Sequence, residues 1–146
     1  MQIVEFEMSH FDRIQLRDWD LMGTQQMGDV RERLKYFAEN GPSYTGMIHG
    51  EVVGCAGVFI HWPGMGEAWV LSSPLVERFK LSFHRAIKQT LNGIQDNLKL
   101  HRIQCVVHAD YTRSQKWVER LGFKKEGLLN KYAPDKAAYY MYGRCS

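Results

Sequence analysis

The chain has 146 residues, of which 45% are hydrophobic and 24% charged, and a formal net charge of +3. That length suits one domain, residues 1–146, able to bury roughly two-thirds of its unfolded surface. The small charge, with no run of five like residues, speaks against an obligate nucleic-acid groove, and no stretch of 18 apolar residues offers a membrane span.

Taken in chain order, Ile3, Val4 and Phe6 make a short strand, and Ser9 reads as the N-cap of a short helix that includes Arg13. Over residues 17–40 the apolar residues Trp19, Leu21, Met22, Met27, Val30, Leu34 and Phe37 fit two helices. Asp29 caps the second, and Asn40-Gly41-Pro42 stops it. Residues 44–48 form a strand that turns at His49-Gly50, because glycine adopts positive φ readily. The next strand, 52–62, is almost continuously apolar or small, as at a sheet centre covered on both faces.

After the Pro63-Gly64-Met65-Gly66 turn, residues 67–72 read as another strand. Ser73-Pro74 looks like the cap and first residue of a long helix. Its stripe of Phe79, Phe83, Ile87, Leu91, Ile94 and Leu98 recurs at steps of three and four. Residues 102–109 make a strand, 112–121 a helix with Trp117, Val118 and Leu121 facing inward, and 128–132 with 137–142 a hairpin turning at Pro134-Asp135. The order β-αα-βββ-α-β-α-ββ describes a mixed α/β (α+β) fold with a mostly antiparallel sheet and one parallel crossover.

The three cysteines, Cys55, Cys105 and Cys145, are odd in number, and two lie in apolar strands. This favours reduced thiols and a cytoplasmic setting. The acidic start of the chain also lacks the pattern of a secretory leader. Six histidines and three cysteines fall without metal-ligand spacing, so no metal is expected.

The strand at 102–108, the helix that follows and the run Leu121-Gly122-Phe123-Lys124-Lys125-Glu126-Gly127 resemble the C-terminal half of the GNAT superfamily, the acetyl-CoA-dependent N-acetyltransferases. The resemblance implies a fourth strand splayed from the fifth, with acetyl-CoA as co-substrate in the wedge. Backbone amides near Trp69, Val70 and Leu71 would polarise its carbonyl. The family's pyrophosphate loop, R/Q-x-x-G-x-G/A, matches Arg78, Phe79, Lys80, Leu81, Ser82 and Phe83, with the arginine kept and both glycines lost. Lys80 and Ser82 could supply donors there, or Arg78 and Lys80 could form a solvated basic turn.

In the helix ahead of Leu121, the family's asparagine, small residue and tyrosine correspond to Tyr111, Ser114 and Val118, so the usual general acid is missing. Substitutes are Tyr111, His108, Tyr132 and Tyr139, each also readable as a structural hydrogen-bonding group. Glu67 is the candidate base, its alternative being an exposed charge beside a turn, and His61 and His108 are next in line. Cys105 is either a buried hydrophobe or a nucleophile.

A narrower likeness, carried by Gly66-Glu67-Ala68-Trp69, the glycine-free helix start and the run from Trp117 through Leu121 to Glu126-Gly127, is to small acetyltransferase-like proteins of bacteriophages. The implied function is acetyl transfer to a primary amine of a small molecule or protein, without nucleic-acid or membrane partners and with a homodimer through edge strands. The alternative is a catalytically silent virion, assembly or host-interaction protein, located in the host cytoplasm or the virion.

Overall fold

The computed structural model describes residues 1–15 and 29–146. Of the 17–40 stretch that fits two helices, the part with Trp19, Leu21, Met22 and Met27 lies outside the described residues. Strand β1 (Gln2–Glu5) leads into α1 (Met8–Arg13), and α2 (Val30–Glu39) precedes the meander β2 (Ser43–Ile48), β3 (Glu51–Trp62) and β4 (Met65–Ser72). A 3-10 turn (Pro74–Glu77) introduces α3 (Lys80–Asn97), which crosses over to β5 (Arg102–His108). Then come α4 (Thr112–Arg120), β6 (Lys124–Leu129) and β7 (Tyr139–Cys145). The seven strands make one sheet in the order β1-β2-β3-β4-β5-β7-β6, antiparallel except where β4 meets β5.

Local chemistry explains most of these boundaries. Asp29 accepts from the Glu32 N–H and starts α2 as read, and Asn40 closes it. His49 and Gly50 both take positive φ, which suits the right-handed twist of the β2–β3 hairpin. The first cap differs from expectation: Ser9 lies inside α1, and Glu7 caps it, its own N–H donating to His10 Nδ1 at 3.1 Å. His10 is buried and lies 2.9 Å from the Thr45 hydroxyl, which pins α1 to β2.

Three further expectations are corrected. β3 is the longest strand and largely buried, but β4 occupies the middle of the sheet, because β5, β7 and β6 extend it on the far side. Leu98 caps α3 and is 47% exposed, and Leu100, just past the helix end, fills the core position. The last hairpin pairs 124–129 with 139–145, so residues 130–138 form a long connection where a tight turn at Pro134-Asp135 was expected. Glycine and lysine had obscured the first of those strands.

The main core lies between α3, α4 and the β5–β7 part of the sheet, around Leu91, Ile94, Ile103, Val118 and Tyr142. A smaller cluster of Val53, Val76 and Phe83 seats the beginning of α3 beneath β3. Tyr142 is fully buried yet satisfied, its hydroxyl donating to Glu119 at 2.7 Å.

Candidate active site

β4 and β5 pair at only three positions, Met65↔Arg102, Gly66↔Ile103 and Glu67↔Gln104. Beyond them each strand stays with its antiparallel neighbour. β4 remains paired with β3 as far as Ser72, and β5 with β7 as far as His108↔Tyr139. The two pairs therefore diverge, and the gap between them belongs to a cavity of about 1070 Å³ whose lining reaches from Ile3 of β1 to Arg120 of α4. The two side chains capable of blocking it turn aside. Leu81 points outward and is 62% exposed, while Phe83 is tucked under β3, against Gly54, and stacked on Trp117 at 6.0 Å. Phe83 and Trp117 floor the opening and leave it clear.

Glu67 stands at the vertex, where the last β4–β5 pair closes. Its Oε1 accepts from Gln104 Nε2 at 3.0 Å and faces His61 Nε2 at 3.5 Å, so the imidazole adjoins the carboxylate. Cys105 lies on the other face of the sheet, within the core. Burial, with a contribution from the Glu67 charge, pushes its thiol up to about 12, which leaves almost no thiolate near neutrality. That argues for the reading of Cys105 as a small buried hydrophobe.

The candidate proton donors gather on the β5–β7 side. His108 stacks on Tyr111 at 4.3 Å and meets Tyr139 edge-on at 5.1 Å, and Tyr132 lies 5.2 Å from Tyr139. His108 Nδ1 accepts from the Asp110 N–H at 3.1 Å, so the proton of its neutral ring sits on Nε2. Burial raises the pKa of Tyr132, reinforced by the Glu67 charge, and burial also raises that of Tyr139. Both phenols stay protonated at neutral pH. Val118, at the position where the resemblance implies a tyrosine, is buried in the core.

The start of α3 differs from the reading of the sequence. Ser73 does cap, accepting from the Leu75 N–H at 3.3 Å, but what it caps is the 3-10 turn. The α-helix begins at Lys80, with Phe79 at its N-cap and no side chain capping it. The N–H groups of Lys80, Leu81 and Ser82 therefore lack intrahelical acceptors and project from the positive end of the helix. The Arg78 guanidinium lies over the Phe79 ring at 5.6 Å.

Two residues that the sequence did not single out complete this mouth. Glu77 binds Lys80 at 3.0 Å and Arg113, from the first turn of α4, at 3.2 Å. A carboxylate thus holds cations from both sides of the opening. Trp117 Nε1 donates to His84 Nδ1 at 3.1 Å just below. Burial, with Arg120 and Lys88 adding to it, lowers the pKa of that histidine, in keeping with an acceptor nitrogen. Glu77 and Arg113 are 36 positions apart, and no local pattern announces such a pair. Ser114 is half-buried and lines the cleft beside them.

The face of β4 toward α1 and α2 is aromatic. Trp69 packs edge-on against Phe6 at 5.6 Å, and Phe37 of α2 stacks flat on Phe59 at 4.2 Å. Among the described residues, Trp69 Nε1 is the buried side-chain nitrogen left without a hydrogen-bond partner. Val70 faces the opposite way, toward the cluster under β3, and Leu71 is buried. Among the described residues no group of three or more His, Cys, Asp or Glu could hold a metal ion. No described helix is long and apolar enough to cross a membrane.

A mixed seven-stranded sheet that splays at one parallel pair, with a helix start at the mouth of the split, is the fold of the GNAT acetyltransferases. No protein-family model matches the chain, and no curated protein matches it in sequence. Solved structures do. The chain is similar to an acetyltransferase of the GNAT family from Bacillus anthracis (20% identity, 98% of this chain and 93% of that one, TM-score 0.76). It is also similar to ribosomal-protein-alanine N-acetyltransferase from Brucella melitensis (12% identity, the whole of both chains, TM-score 0.74). A third is an acetyltransferase of GNAT family from Streptococcus pneumoniae (15% identity, 99% of this chain and 98% of that one, TM-score 0.73).

Proposed function

We propose that the protein is an acetyl-CoA-dependent N-acetyltransferase that moves the acetyl group directly to a primary amine. The observation that carries this reading is the separation of β4 from β5 beyond Glu67, with cations and unpaired helix amides at its open end. Acetyl-CoA would bring an acyl group on a good leaving thiol. The donor set suits its diphosphate: Arg78, Lys80 and Arg113 supply charge, and the N–H groups of Lys80, Leu81 and Ser82 supply directed hydrogen bonds. Glu77 sits in that anion position and would yield it on binding.

Beyond Glu67 the cleft edge of β4 has no strand partner among the described residues, so an N–H within 69–71 can donate to a carbonyl oxygen as it gains charge. Glu67, held by Gln104 and next to His61, takes the proton of the incoming ammonium. A proton for the departing thiolate comes from the group formed by His108, Tyr111, Tyr132 and Tyr139, in place of the tyrosine lost at Val118. Direct transfer also fits Cys105, whose thiol stays protonated.

Calorimetric titration with coenzyme A tests the reading. Saturable binding that weakens at least threefold in Arg78→Ala and in Lys80→Ala is expected. Absence of binding at millimolar concentration would refute it, leaving the alternative of a catalytically silent virion, assembly or host-interaction protein of this fold.

A further inference from the structure

The α2 side of the cleft carries a chemistry that the acyl-donor side does not need. Side chains alternate along a strand, and Glu67 and Trp69 share a face with their β3 partners Phe59 and Gly57. Phe37 covers this face from α2, stacked on Phe59 and 6.3 Å from Trp69. Across the opening stands the second aromatic group, Tyr132 with Tyr139 and His108. Tyr132 is close enough to both Glu67 and Arg33 for their charges to act on its phenol. Arg33 and Phe37 of α2, Glu67, and Tyr132 of the β6–β7 connection thus line one cavity.

We propose that this space receives the acceptor as a monocationic primary amine carried on an aromatic body. The inference rests on the transferase reading for its chemistry but not for its binding. The carboxylate of Glu67 and the ring faces around it both favour an ammonium group, and flat aromatic walls favour a flat apolar remainder. A polycation fits poorly. Among the described cleft-lining residues the carboxylates are Glu67 and Glu77, and Glu77 is already held by Lys80 and Arg113. A neutral molecule of the same shape would leave Glu67 without its cation.

Calorimetry on the full chain without acetyl-CoA, using 2-phenylethylamine, 2-phenylethanol, n-butylamine and spermidine, tests the proposal. The expected result is that 2-phenylethylamine binds at least tenfold more tightly than each of the other three. Glu67→Gln should remove most of the preference for amine over alcohol. Tyr132→Leu, at a 45% exposed position that the fold does not depend on, should bring 2-phenylethylamine toward n-butylamine. Spermidine or n-butylamine binding as tightly as 2-phenylethylamine, or the alcohol matching the amine, would overturn the proposal. Coenzyme A binding with no 2-phenylethylamine binding would overturn it while sparing the transferase reading, and the reverse pattern would sink the transferase and keep the amine site.

Discussion

The openness of the cleft depends on where the Phe83 ring lies, and Gly54 reports on that position. A methyl group added at Gly54 would fall 2.7 Å from Phe83 Cε1, 3.0 Å from its Cζ and 3.0 Å from the Leu71 carbonyl oxygen. The ring cannot retreat, being 5% exposed, packed on Val53 and Val76, and stacked on Trp117. Overpacking of this kind costs about 1–3 kcal/mol. The lower chain entropy of unfolded alanine offsets it by about 0.4–1 kcal/mol. Gly54→Ala should therefore destabilise by about 0–2.6 kcal/mol, the difference of those two ranges.

Phe83→Leu removes the ring edge and keeps most of the bulk, at about 0.5–3 kcal/mol on its own. With the clash gone, Gly54→Ala should cost little in the Phe83→Leu background, so the double variant is less destabilised than the sum by about 1–2 kcal/mol. Equilibrium urea unfolding of the four proteins, compared at constant m, measures this coupling. Strict additivity would show that the ring is elsewhere, and the floor of the cleft would have to be redrawn.

Other expected outcomes bear on the site and on pH. Glu77→Gln should tighten coenzyme A about two- to tenfold at low salt, since exposed pairs such as Glu77–Lys80 and Glu77–Arg113 are worth about 0–1 kcal/mol each. Weaker binding in that variant would contradict the competition between carboxylate and diphosphate. Glu67→Gln should lower kcat about 10²- to 10⁴-fold with unchanged thermal unfolding, measured by thiol release in a coupled assay. A variant with full activity would remove Glu67 from the role of base. Burial raises Cys55 from 9.0 to about 11 and Cys105 from 9.0 to about 12, so the unfolded chain loses these protons first as pH rises. Their contribution to stability is complete below pH 9 and declines above it toward pH 11–12, and Cys105→Ala should flatten that decline in alkaline unfolding curves. In iodoacetamide labelling of the native protein at pH 8, exposed Cys145 should react well before either buried thiol.

The sequence alone determined the elements whose signals are local. The step-four stripe of α3, the Asp29 cap, the His49-Gly50 turn and the apolar run of β3 each follow from a few adjacent residues, because helix and strand periods are written into the chain. Where two local rules competed, the reading slipped. Ser73-Pro74 satisfies a helix start, yet the chain first makes a 3-10 turn there and begins α3 at Lys80. The strand at 124–129 is polar and exposed because it is an edge, so its pattern carried no period to read.

What only the tertiary structure decided is the site. Glu67 and the loop at 78–83 could be placed beside one cleft by resemblance, but the width of that cleft follows from β4 staying with β3 while β5 stays with β7. Phe83 could have plugged the gap or floored it, and the space left by Gly54 selects the floor. The Glu77 bridge to Lys80 and Arg113, and the aromatic groups of Phe37 with Phe59 and of Tyr132 with Tyr139, join residues from separate elements. Distance along the chain says nothing of such meetings; packing of α3, α4 and the divided sheet creates them.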